Sequence, residues 1–115
     1  MIEVSLPELR LVAHQRLIYH ITHNVRAIFM DYDAQEQVVS FLAYFQSPPT
    51  EWEEELISDS AFETAIEFDL YDSTKCIYST APLTKLEKLP YWLYVRAEEL
   101  SREAEELGKE DDMEP

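Results

Sequence analysis

The chain has 115 residues, a single glycine (Gly108), a single cysteine (Cys76) and a formal net charge of −15 at pH 7. That length fits one domain able to bury a core without metals or disulfides. The lone glycine excludes a glycine-rich phosphate loop or dinucleotide fingerprint, and the lone cysteine excludes an intramolecular disulfide, as suits a reducing cytosol.

In chain order, residues 7–20 (PELRLVAHQRLIYH) predict a first helix. Leu9, Val12, Ala13, Arg16, Leu17 and His20 follow 3–4 spacing, and Pro7 fits a first-turn position. Residues 25–33 (VRAIFMDYD) predict a strand whose two faces are both partly apolar, hence a central one. After the short polar turn AQEQ, residues 38–46 (VVSFLAYFQ) predict a second strand, paired to the first as an antiparallel hairpin. SPPT ends that strand. Thr50 followed by Glu53 is a capping-box pattern, so a second helix is expected to run to about Phe68. Its buried stripe is expected to hold Trp52, Leu56, Ile57, Phe62, Ala65 and Ile66. Residues 74–80 and 91–97 predict two further strands, joined by a loop bounded by Pro82 and Pro90.

The expected fold class is α+β, in the order α-β-β-α-β-β, with a four-stranded, mostly antiparallel sheet packed with two helices. Residues 1–97 are expected to form the domain, and 98–115 an acidic helical or disordered tail. That tail holds nine acids against Arg102 and Lys109. The N-terminus shows no basic region leading into an apolar core, and no apolar run approaches the ~20 residues that cross a bilayer. A cytoplasmic location is expected.

The charge is also one-signed locally. From Ala27 to Thr74 there are twelve acids and no basic residue. Acids at a helix N-terminus are ordinary, because the macrodipole favours them. Glu51, Glu55, Asp59, Glu63 and Glu67 are different: they recur every four residues and form a slowly winding acidic ridge. A like-charged series of this kind costs a helix a few tenths of a kcal/mol per pair. The hairpin adds Asp31, Asp33 and Glu36, and the far end of the helix adds Asp69 and Asp72. If these groups converge, they match a basic groove of the sort that holds phosphates. Trp52 and Tyr71 are the aromatic anchors included among the candidate contacts. Nucleic acid and anionic membranes are disfavoured as direct partners, and basic proteins are favoured.

Other chemistry has little support. His20 and His23 could reach one metal, but no cysteine lies near them, so neither a metal nor any cofactor is expected. Carboxylate pairs are too abundant here to mark acid–base catalysis, and Ser, His and Asp occur in no nucleophile motif. An enzyme is not expected.

Three segments carry a family resemblance: NVRAIFMDYD (24–33), FLAYFQSPPTEWEEELISDSAFETAIEFD (41–69) and YWLYVRAE (91–98). They resemble small bacterial immunity proteins encoded beside polymorphic toxins, including those of contact-dependent growth inhibition. In that group the first strand bears an Asn-Leu-Arg-Ala pattern, with Val25 here in the Leu position. The closing strand bears Val-Tyr-Arg-Arg, with Ala97 here in place of the second basic residue. The resemblance implies no activity of its own, but stoichiometric binding of one cognate toxin, commonly a nuclease. Arg26 and Arg96 fit the pattern best and are expected to be structural, pairing with carboxylates across the sheet. The expected function is neutralisation of a cationic toxin by occluding its substrate cleft. The alternative is an acidic nucleic-acid mimic that inhibits DNA-binding enzymes.

Overall fold

The computed structural model describes residues 4–100. Helix α1 spans Leu6–Leu17, strands β1 and β2 span Val25–Asp33 and Val38–Phe45, and helix α2 spans Glu51–Glu67. Strand β3 (Tyr71–Tyr78), a 3₁₀ turn at Leu83–Lys85 and strand β4 (Tyr91–Val95) follow. Residues 97–100 are helical. The rest of the expected acidic tail, 101–115, lies outside the described residues.

The strand order is β3-β2-β1-β4. β1 pairs antiparallel with both β2 and β4, whereas β2 and β3 run parallel, joined by α2 as a crossover. The α+β fold with a mostly antiparallel sheet is therefore present. β3 begins three residues earlier than expected, because Tyr71 and Asp72 continue the ladder with Val38 and Val39.

β1 is central, and its burial on both faces follows from having two covers. On one face Ile28, Met30, Val39, Phe41, Ala43 and Phe45 pack under Leu9, Ala13 and Leu17 of α1 and Ile57, Ala61 and Ala65 of α2. On the other, Ala27, Phe29, Leu42 and Tyr44 pack under Leu83, Leu86 and Leu89 of the 79–90 loop. Among the described residues, this second face is covered chiefly by a loop. The Tyr44 hydroxyl donates to the Glu87 carbonyl at 2.6 Å, which pins the loop in place.

The β1–β2 register shifts between Val25 and Ala27, which makes Arg26 the extra residue of a bulge. Its side chain is 1% exposed. It donates to the Ser79 carbonyl at 2.6 Å and is ion-paired with Glu99, also buried. Arg96 holds the other oxygen of Glu99 at 2.6 Å and lies 3.3 Å from Glu98. Both arginines are structural, as expected, but the carboxylates they meet lie not across the sheet but just after β4, at the very start of the segment expected to be a tail.

The second helix corrects its expected stripe. Ile57 and Ala65 are buried and Leu56 is partly so, but Trp52, Phe62 and Ile66 are 63%, 44% and 62% exposed. The inward face instead holds Glu53, Ile57, Ser60, Ala61, Thr64 and Ala65. Small residues there let α2 approach α1 closely. Ser60 Oγ lies 3.1 Å from the Arg16 carbonyl and 2.7 Å from His20 Nδ1. Polarity misled the hydropathy reading: Ser60 and Thr64 satisfy their hydroxyls on carbonyls one turn back, at 3.0 and 2.7 Å, so they can be buried.

Candidate functional site

The site is built on α2. Pro48 and Pro49 cannot continue β2, and Thr50 then caps the helix. Thr50 Oγ1 accepts from the Glu53 amide, and the Thr50 amide donates to Glu53 Oε1, both at 3.1 Å. Glu53 also accepts from Thr22 Oγ1 at 2.5 Å and from Asn24 Nδ2 at 3.2 Å. Glu53 therefore belongs to the frame and not to the acidic surface. Burial pushes its carboxyl up, but the hydrogen bonds from Thr22, Thr50 and Asn24 together outweigh burial and hold it below the usual carboxylate range. With the folded value depressed, the stabilisation is complete above the unfolded glutamate value (~4.3) and disappears as pH falls through the folded one. Glu53→Gln should lower stability at pH 7 and flatten its decline below about pH 4, measured by urea denaturation across pH. An unchanged acid profile would show that Glu53 titrates alike in both states.

On the opposite face, the expected ridge exists: Glu51, Glu55, Asp59, Glu63 and Glu67 are all exposed. Glu67 pairs with Arg16 of α1, which relieves the ridge at its C-terminal end. Trp52, Phe62 and Ile66 lie on the same outer face. The sequence reading placed Phe62 and Ile66 in the core and so missed them as surface groups. Helical geometry at 100° per residue puts both on the far side of α2 from Glu53, but the burial of Glu53 depends on Thr22 and Asn24, so no local signal marked that phase.

The hairpin acids and the acids after α2 do meet at one end of the sheet. The Tyr71 amide donates to the Gln37 carbonyl at 2.8 Å, which sets the β3 start against the β1–β2 turn. Glu36, Asp69, Tyr71 and Asp72 are exposed there. Asp33 is exposed too, but its Oδ1 accepts from the Gln35 and Glu36 amides at 3.0 and 3.1 Å, an Asx turn that shapes the hairpin. Asp31 is half-buried and accepts from the Tyr32 amide at 2.8 Å. Glu51 and Trp52 stand at the other end of α2, about 25 Å away by helical rise. The ridge connects the two ends.

Asp69 is notable for its backbone. It has φ 55°, and its amide donates to Ile66 while Leu70 donates to Ala65, the Schellman ending of a helix. Glycine is favoured in that conformation, and a cation is favoured at that end of the dipole. Asp69 violates both preferences. Asp69→Asn, which tolerates the same conformation, should raise stability by about 0.3–1 kcal/mol at low salt. The check is the urea midpoint, and a lower midpoint would refute the reading.

Among the described residues, no group of three His, Cys, Asp or Glu side chains could hold a metal. Burial, and after it Glu54, pushes the Cys76 thiol up to about 11, so it is protonated at neutral pH and a poor nucleophile. No helix among the described residues is long and apolar enough to cross a membrane.

A small α+β frame whose most distinctive chemistry is on its outside, with acids and apolar side chains on the outer face of α2, fits the small immunity proteins that its strands and α2 resemble. The chain belongs to the MafI2 immunity protein family, whose model matches residues 7–98. It is thus a small bacterial immunity protein of the polymorphic-toxin kind, directed against a cognate toxin. A comparison with curated proteins finds no match.

Proposed function

We propose that this protein neutralises its toxin by presenting the outer face of α2 and the adjoining hairpin end to a cationic cleft, most simply the phosphate-binding cleft of a nuclease. It acts in the cytoplasm, one copy per toxin, with no turnover of its own. The observation that supports this reading is the exposure of Trp52, Phe62 and Ile66 among the α2 carboxylates. Carboxylates supply long-range attraction to lysine and arginine, and apolar side chains desolvated at the centre of an interface supply slow dissociation. Phosphate mimicry toward many DNA-binding enzymes would use the carboxylates, but gives no purpose to three exposed apolar side chains between them.

The test uses the C-terminal domain of the toxin encoded beside this gene, titrated into the protein at several salt concentrations. The expected result is a one-to-one complex whose association rate falls steeply with ionic strength. Association that ignores salt, or inhibition of several unrelated DNA-binding enzymes, would defeat the proposal.

A further inference from the structure

The two edges of the sheet are built differently. β4 has five residues, is preceded by Pro90, and carries a register shift opposite Ile28 and Phe29. Shortness, bulges and proline are devices that keep a sheet edge from recruiting another strand. β3, at the other edge, has eight residues, no proline or glycine, and unbroken register with β2 from Tyr71 to Tyr78. The pairing determines which of its backbone groups are engaged. Tyr71 donates to Gln37 and Ser79 to Phe45, so the odd-numbered residues turn N–H and C=O toward β2. The N–H and C=O of Asp72, Thr74, Cys76 and Tyr78 therefore face the outer edge, where no further strand pairs among the described residues.

The surroundings define the strand that fits there. α2 packs over β2 and β3, and Ser60 and Glu67 turn toward α1. On the flank away from α1, helical spacing places Glu51, Glu54, Ser58 and Phe62, beside the β3 edge. Tyr71 and Tyr78 are exposed on β3 itself, and Lys75 is its one basic residue. A second copy of the chain would bring −15 against −15 and set these acids against their own kind. A basic strand meets the opposite sign.

We propose that the free edge of β3 receives an extended basic strand of the cognate toxin, which joins the sheet as a fifth strand beside the Glu51–Glu54–Phe62 flank of α2. The main-chain hydrogen bonds of strand addition give affinity, and the flanking carboxylates and aromatics give specificity. This rests on the toxin-binding reading above, and the experiment separates the two.

Amide hydrogen exchange is measured by NMR on the labelled protein, alone and saturated with the C-terminal domain of the toxin encoded beside it. The amides of Asp72, Thr74, Cys76 and Tyr78 should exchange readily in the free protein and slow at least ~10-fold in the complex, while those of Ser73, Lys75 and Ile77 change little. Thr74→Pro removes an outward N–H but no bond to β2, and should weaken binding at least ~10-fold, whereas Thr74→Val should not. If the complex forms but the four amides keep their free rates, strand addition is wrong and toxin binding stands. If the domain does not bind at all, both readings fall. Protection of these amides in a toxin-free dimer would assign the edge to self-association and overturn the proposal.

Discussion

Replacing Glu99 with alanine should destabilise the protein by about 3–5 kcal/mol, the largest effect of any single substitution outside the apolar core. The reason is the charge left behind. Arg26 is 1% exposed, it sits at a bulge in the central strand, and Glu99 is its ion-pair partner. Removing the carboxylate leaves a buried guanidinium uncompensated. The pair itself need not be a large net gain, because both charges were taken out of water to make it. Arg26→Met with Glu99→Leu should therefore recover much of the loss, and Arg96, which is only partly buried, can turn to water. A chain ended at residue 98, where the family match stops, lacks the same carboxylate and should show the same defect. The pH dependence has a definite sign. Burial pushes the Glu99 carboxyl up, but hydrogen bonds and charge from Arg26 and Arg96 prevail and hold it below the usual range. Its contribution is complete above the unfolded value and is lost as pH falls through the folded one, so the wild type should lose more stability on acidification than Glu99→Ala. Urea denaturation gives both numbers. A loss below about 1 kcal/mol at pH 7 would mean that water reaches Arg26 in the native state.

The second large effect is on binding and should leave the fold alone. Trp52→Ala should weaken the toxin complex by about 2–4 kcal/mol, chiefly through faster dissociation. Its thermal midpoint should barely move, because the indole is mostly in water already. The triple change Glu55→Lys, Asp59→Lys and Glu63→Lys should act on the other rate, slowing association by about 10-fold or more and removing most of its salt dependence. These are exposed positions on the outer face of one helix, so the helix should form as before. Stopped-flow association and dissociation rates distinguish the two classes. If Trp52→Ala leaves dissociation unchanged while the triple variant destroys binding, the interface is electrostatic alone and its anchor lies elsewhere.

The elements themselves were legible in the sequence wherever the chemistry is local. The capping box at Thr50 and Glu53 depends on a four-residue window, and it forms as written. The alternation of Ile28, Met30 and Tyr32 with Phe29 and Asp31 marks β1 as central, and its two apolar faces are both covered. The acidic ridge is a consequence of spacing and needed only that α2 be a helix. By itself, then, the sequence determined the α+β class, the charge and its placement along one helix, and the family membership of residues 7–98. Tertiary structure alone decided the phase of α2. Hydropathy favours burying Trp52, Phe62 and Ile66, but the face that packs on α1 and the sheet is made mostly of small residues, and Ser60 and Thr64 can bury their hydroxyls on carbonyls of the preceding turn. It also decided which acids are surface and which are frame. Glu53 and Glu99 look no different from Glu55 in sequence, and they are buried because Thr22, Asn24 and Arg26, far off in the chain, converge on them. The same holds for the edges of the sheet: strand order comes from long-range pairing, so nothing local shows that β3 and not β2 lies open to a partner.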